Sequence, residues 1–270
     1  MNRRQRVLSV ENLSVSFLQY VGRLTQKKIT PIGSLSVHVN AGEIHAIAGA
    51  SGSGKSLLAH AILGILPRSA MCSGSMTYMD QPLTERRKER LRGREIAFIP
   101  QSVNYLDPLM KVGRQIRIGL PVKSAAQTER RLLEKYGLKQ EDGSRYPFEL
   151  SGGMLRRILF AASVREGVRL IIADEPTPGI HPEALSVILN QLRTCADAGA
   201  AVMLITHDIL SALSVCDRVT VLQNGSAIET ASADSFAGQG EKLRHPYTKA
   251  LWSCLPVNDF TQSRMIAPCH

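Results

Sequence analysis

No apolar run in this chain approaches the roughly 20 residues needed to span a bilayer. If the protein works at a membrane, another chain must hold it there. The basic start, Met1-Asn2-Arg3-Arg4-Gln5-Arg6, is followed by no apolar stretch of signal-peptide type, so no secretory leader is expected. The five cysteines, Cys72, Cys195, Cys216, Cys254 and Cys269, include no C-x-x-C pair, and none stands at zinc spacing with histidine. They read as reduced thiols in a cytosolic protein. Internal repeats and low-complexity segments are missing too, which leaves no sign of a solenoid or a linker. What is present is ordinary for a soluble globular protein: 44% apolar and 21% charged residues. A length of 270 residues allows one or two domains and a large core.

The formal charge is +10, and much of the excess sits in Arg86-Arg87-Lys88-Glu89-Arg90-Leu91-Arg92-Gly93-Arg94. A basic balance admits nucleic acid or an anionic membrane surface as a partner. The commoner meaning of such a run is a solvated face.

The stretch that organises the chain is Gly49-Ala50-Ser51-Gly52-Ser53-Gly54-Lys55-Ser56, which matches G-x-x-x-x-G-K-[ST]. Ile44–Ala48 before it reads as a buried strand and Ser56–Leu63 after it as a helix, the context this phosphate-binding loop needs. Its glycines let successive N–H groups point inward at a helix N-terminus, making an anion nest. Lys55 is then placed for the β- and γ-phosphates of a nucleotide, and the Ser56 hydroxyl for Mg²⁺.

Alternation predicts strands at Val7–Val10, Leu13–Phe17 and Leu35–Val39, with Gln19–Gly33 as a hairpin carrying a long loop. Residues 74–84 read as a short strand pair and Ile96–Pro100 as a strand ending at Gln101. From about Ser102 to Leu150 the periodicity turns helical with polar faces, an inserted helical subdomain. Leu170–Asp174 and Ala201–Ile205 read as strands buried on both faces, separated by a helix over Ala184–Ala198. Asp217–Leu222 and Gly225–Ile228 pair across a turn at Gln223-Asn224. Little is predicted beyond Ser232.

Asp174-Glu175 closes an apolar strand, which after a P-loop is the Walker-B arrangement. Asp174 is expected to bind Mg²⁺, mostly through water, and Glu175 to polarise the water that attacks the γ-phosphate. Leu150-Ser151-Gly152-Gly153-Met154 resembles the LSGGQ signature of ATP-binding cassette (ABC) ATPases. Ser151 and the N–H groups of Gly152 and Gly153, at a helix start, make a second phosphate site. In the family architecture that site completes the P-loop of a second subunit. The resemblance extends to Gln101 in Phe98-Ile99-Pro100-Gln101, a Q-loop sensing Mg²⁺ and γ-phosphate. It extends also to His207 in Leu204-Ile205-Thr206-His207-Asp208, an H-loop on the γ-phosphate. Phe17 resembles the aromatic that stacks on adenine, with core packing and Tyr20 as rival readings.

The resemblance covers nearly the whole chain. It implies an α/β fold: a P-loop NTPase ABC cassette with a RecA-like core, an antiparallel β subdomain and an inserted α-helical subdomain. Residues 1–235 would form the nucleotide-binding domain, with about 102–165 inserted, and 236–270 a short C-terminal extension. ATP and Mg²⁺ are the implied cofactors. The segments Leu63–Pro67, Leu91–Gly93, Asp107-Pro108, Tyr146–Glu149 and His245–Leu251 are similar to the dipeptide, oligopeptide and nickel importers. The nickel importers' D-type ATPase subunit is the nearest likeness. Implied partners are two transmembrane permeases, a second ABC ATPase and an extracytoplasmic solute-binding protein. Nickel or a chelated metal is the first cargo and di- or oligopeptides the second. The chain would sit peripherally on the cytoplasmic face of the bacterial inner membrane, with no nucleic-acid partner.

Two departures stand out. Met154 replaces the usual signature glutamine, as in nickel-type relatives. Ile180-His181 stands where the family's D-loop has leucine-aspartate, which favours an asymmetric pair with a different ATPase. Only Cys254 and Cys269 lie in the tail, so no iron–sulfur cluster is expected. A rival reading is the soluble ABC protein associated with phosphonate carbon–phosphorus cleavage, which shares the SGGM and HPYT features. A nucleic-acid-acting ABC ATPase fits less well, since the chain holds neither tandem cassettes nor long coiled coils. A regulatory subunit that binds ATP without turning it over is suggested only by His181 and its neighbours.

Overall fold

The computed structural model describes residues 5–21, 25–176 and 182–255. Two 16-residue strands, β1 (Arg6–Val21) and β2 (Thr25–Asn40), pair antiparallel from Arg6↔Asn40 to Val21↔Thr25. This corrects the long loop expected over Gln19–Gly33, because Gln19, Lys27, Lys28 and Ile29 all lie in the ladder. Residues 26–30 are exposed, so no buried face imposes alternation there. Register shifts at Val10, Leu13, Val15 and Phe17 blur the period further.

The chain continues through β3 (Ile44–Gly49), α1 (Lys55–Leu63), β4 (Ala70–Tyr78), β5 (Gln81–Pro82), α2 (Glu85–Leu91) and β6 (Ile96–Ile99). Three helices, α3 (Val112–Arg117), α4 (Val122–Lys135) and α5 (Gly152–Ser163), then intervene before β7 (Leu170–Asp174). The remaining elements are α6 (Pro182–Asp197), β8 (Ala201–Thr206), α7 (Ile209–Leu213), β9 (Arg218–Gln223), β10 (Ser226–Ser232) and α8 (Pro246–Ser253). The β9–β10 turn lies one residue later than expected. Gln223 pairs with Ser226, and Asn224 and Gly225 both have positive φ, 49° and 74°. Two left-handed residues make the primed turn that matches strand twist, and Asn-Gly is the dipeptide suited to it.

The ten strands of the described residues form one sheet in the order β5-β4-β1-β2-β10-β9-β3-β8-β7-β6. β9, β3, β8, β7 and β6 run parallel; β5, β4, β1 and β2 form an antiparallel wing. The wing meets the rest at one registered pair, Ser226↔Ser34. A Cβ on Gly225 would stand 2.1 Å from the Pro31 carbonyl oxygen, so the hairpin turn sits directly on β2.

Both faces of the parallel strands are covered, and alternate residues enter different cores. Ile171, Ala173, Val202 and Leu204 pack with the intervening helices through Ile116, Leu133, Ile158 and Phe160. Leu170, Ile172, Met203 and Ile205 pack with α1 and the wing through Leu58, Ile62, Leu13 and Ile32. This two-sided burial explains the unbroken apolar runs of β7 and β8.

Where β2, β3 and β9 meet, a histidine is buried. His45 bonds the His38 carbonyl through Nδ1 and Thr220 Oγ1 through Nε2, both at 2.7 Å. Burial and the nearby Arg218 lower its pKa from 6.5 to about 3, so it is neutral in the fold. His38 is lowered in the same sense, chiefly by burial. The unfolded chain therefore binds more protons than the folded one below pH 6.5. Stability present at pH 7 is lost as pH falls, at up to about 1.4 kcal/mol per pH unit for this one group. Urea unfolding between pH 6.5 and about pH 5 is expected to show that slope, and His45→Gln to reduce it. An unchanged slope in the variant would contradict the assignment.

Candidate functional site

Four parallel strands end level with one another. Ala48 pairs with Thr206, Ile205 with Asp174, and Ala173 with Ile99. The residues that follow, the P-loop after β3, Gln101 after β6, Glu175 after β7 and His207 after β8, are thereby brought to one edge. In open α/β sheets the carboxyl edge of the parallel strands is where ligands bind.

The P-loop holds its shape through close backbone approach. A Cβ on Gly49 would lie 2.5 Å from the Leu222 carbonyl, and one on Gly54 2.9 Å from Ile32 Cγ1. Gly54 caps α1 in the left-handed region at φ 95°, with no side chain bonding the first turn. The first N–H groups of α1 therefore remain directed at the cleft, where an anion can accept them. The cleft is about 290 Å³ and is lined by Ser51, Gly52, Lys55, Ser56, Gln101 and Glu175 among others.

Lys55 is buried, and its ammonium donates to the carbonyls of Gly49 at 2.9 Å and Ala50 at 3.0 Å. Burial holds its pKa below the usual lysine range, against the pull of Glu175 and Asp174. Glu175 is the hub. Its Oε1 lies 3.8 Å from Lys55 Nζ, and its Oε2 accepts from Gln101 Nε2 at 3.0 Å and lies 3.3 Å from His207 Nδ1. Its backbone is left-handed at φ 43°, a conformation that costs a non-glycine residue about 1 kcal/mol or more. The bond from Glu175 N to the Ile205 carbonyl, 2.8 Å, holds that turn.

Ser56 Oγ donates to Asp174 Oδ1 at 3.2 Å. Asp174 is 4% exposed, and burial raises its carboxyl above the usual range against the Ser56 hydrogen bond. Two hard oxygens side by side, one on a desolvated carboxylate, suit Mg²⁺, which takes one or two protein oxygens and completes its shell with phosphate and water. Among the described residues no group of three or more His, Cys, Asp or Glu side chains is placed to hold a metal ion by itself.

Ser151 caps α5, accepting from Met154 N at 3.3 Å, and Ser151 and Gly152 are exposed. Neither they nor Gly153 line the P-loop cleft. Arg156, one turn into α5, was not singled out by any motif or period. Its Nη1 donates to the carbonyls of Pro176 at 2.9 Å and Gln101 at 3.2 Å, joining the signature helix to two strand ends. Phe17 is half-buried against the wing core, Tyr20 is 67% exposed, and neither lines the cleft. The Ile180-His181 departure and Cys269 lie outside the described residues.

A family model described as "ABC transporter" matches residues 32–178, more than half of the chain. The chain is 35% identical over 268 residues to a probable D,D-dipeptide transport ATP-binding protein of Escherichia coli (strain K12), covering 93% of this chain and 79% of that protein. It is 32% identical over 272 residues to the oligopeptide transport ATP-binding protein OppD of Bacillus subtilis (strain 168), covering 95% and 74%. The glutathione import ATP-binding protein GsiA of Escherichia coli (strain K12) is 31% identical over 274 residues, covering 93% of this chain but 42% of that longer protein. A solved ATP-binding subunit of an ABC transporter superposes with TM-score 0.71 at 24% identity, over 91% of this chain and 98% of the other. A dimeric post-hydrolysis ATP-binding cassette bound to ADP and Pi gives 0.71 at 21%, over 84% and 98%. These two show the fold: an α/β P-loop ABC cassette.

The desolvated carboxylate yields a test that separates stability from function. A carboxyl group held above its ordinary range costs folding free energy when ionised at pH 7. Asp174→Asn is therefore expected to raise the urea midpoint while lowering Mg²⁺-dependent ATP turnover by about a hundredfold or more. A destabilised variant, or one with near-normal turnover, would contradict the placement of Asp174.

Proposed function

The chain belongs to the ABC transporter family of ATP-binding cassettes, and from that premise we propose that it is the ATP-hydrolysing motor of an importer of short peptides. The observation that carries the reading is the convergence of Lys55, Gln101, Glu175 and His207 on one cluster beside an open helix N-terminus. Phosphate is received by the P-loop N–H groups and by Lys55, which exchanges its two carbonyl partners for phosphate oxygens. Bound Mg²⁺, held by Ser56 and through water by Asp174, would neutralise charge on the β- and γ-phosphates. Glu175 then accepts a proton from the attacking water, with Gln101 and His207 orienting its carboxylate. Phe17 stays in the reading as the adenine contact. Its strand pairs with β2 beside Ile32, which abuts Gly54.

Ser151, Gly152 and Gly153 complete the site of a second cassette. Arg156 gives this chain a rigid connection from that surface to Gln101 and the Glu175 turn. Closure of two cassettes thus moves the intervening helices, about residues 102–165. Two permease subunits dock there near Gln101–Met110, and a solute-binding protein outside the membrane delivers cargo to them. Residues 1–235 form the cassette and 236–270 an extension. No helix among the described residues is long and apolar enough to cross a membrane, which suits peripheral docking on the cytoplasmic face.

The relatives are named for oligopeptide, D,D-dipeptide and glutathione transport, so short peptides take precedence over nickel as the proposed cargo. Neither nickel nor the phosphonate-associated reading draws support from these names. The test is a pull-down of the chain from detergent-solubilised membranes with identification of the co-purifying chains. Two hydrophobic permeases and a second cassette are the expected result; a complex with no membrane chain would overturn the reading.

A further inference from the structure

We propose that a cavity at the amino ends of the parallel strands is a second ligand site, built for a phosphorylated organic anion. The cavity is about 740 Å³, within the roughly 300–1,000 Å³ range of small-molecule sites. One wall comes from the starts of β6, β7 and β8, through Arg94, Val168 and Ala200; the other comes from α4 and the loop before it. It lies at the opposite edge of the sheet from the phosphate cleft and shares no lining residue with it.

Its charge is one-sided. Arg94, Arg131, Lys135 and Arg165 line it against a single carboxylate, Glu166, and Glu166 is already paired with Arg131 at 2.7 Å. No carboxylate pairs with Arg94, Lys135 or Arg165 among the described residues. Arg165 donates to the Ile118 carbonyl, and burial holds its guanidinium below the usual range. Lys135 Nζ lies over the Tyr136 ring, 5.6 Å from its centroid, and its charge bears on the Cys195 thiol, which also lines the cavity. Three uncompensated cations around one concavity repel each other, and a multiply charged anion relieves that repulsion. A phosphate ester supplies two charges and three acceptor oxygens where a carboxylate supplies one charge and two. The Leu132, Val164 and Ile171 side chains provide an apolar floor for the organic body.

That chemistry has two sources. A soluble phosphorylated metabolite fits the cavity volume. An anionic phospholipid headgroup fits the surroundings, because Ile118 and Val122 beside the cavity are 57% and 93% exposed. Either ligand bridges α4 to the sheet, so its occupancy would bear on how freely the intervening helices move against the parallel strands.

The test uses the full chain carrying Lys55→Ala, so that the P-loop contributes little anion binding. Fructose 1,6-bisphosphate is titrated by calorimetry, and phosphatidylglycerol vesicles are tested by co-sedimentation against phosphatidylcholine vesicles. Binding of the bisphosphate assigns a soluble ligand; binding of the anionic vesicles alone assigns a headgroup. In either case Arg94→Gln with Lys135→Gln is expected to weaken binding about tenfold or more, with the thermal midpoint unchanged. Binding of neither probe, or binding indifferent to the two substitutions, would overturn the proposal.

Discussion

The Glu175 carboxylate holds the ends of separate strands together. It accepts from Gln101, sits beside His207 and approaches Lys55, so residues following β3, β6, β7 and β8 share one group. The level register of those strands makes this geometry accessible, and the left-handed turn at Glu175 aims the carboxylate. A shift of one residue in any of the four would reverse which face each side chain takes and scatter the cluster. The two-sided cores, with Ile172 and Met203 on one face and Ala173 and Leu204 on the other, fix that register through burial.

Charge is kept desolvated at this edge at a cost to folding. Lys55 and Asp174 are both displaced toward their neutral forms by burial. Each becomes more useful when a ligand of opposite charge arrives, because the same low-dielectric surroundings strengthen the new interaction. The antiparallel wing contributes to the same edge, since Ile32 of β2 closes against Gly54 and the Gly225 turn seats on Pro31. Helix α5 is tied in by Arg156, which joins it to the ends of β6 and β7 beside the Glu175 cluster.

Much of this was legible in the sequence. The P-loop carried its own strand and helix, and the runs Leu170–Asp174 and Ala201–Ile205 marked the neighbouring strands. Other parts were not legible, for physical reasons. The exposed outer half of the β1–β2 hairpin has no buried face to impose a period, and register shifts between Arg6 and Phe17 disturb the period of the inner half. The Asn224-Gly225 turn was misplaced by one residue although its dipeptide states the turn type. Arg156 acts through two backbone carbonyls from distant segments, a relation that no local spacing encodes. The role proposed for Ser151, Gly152 and Gly153 depends on a surface of another chain, so only the family likeness pointed to it.

The most direct test of the central claim is single-turnover hydrolysis by the purified transporter complex carrying Glu175→Gln. If Glu175 is the group that takes the proton from the attacking water, ATP will still bind and turnover will fall by about a hundredfold or more. Near-normal hydrolysis with the carboxylate removed would contradict the account.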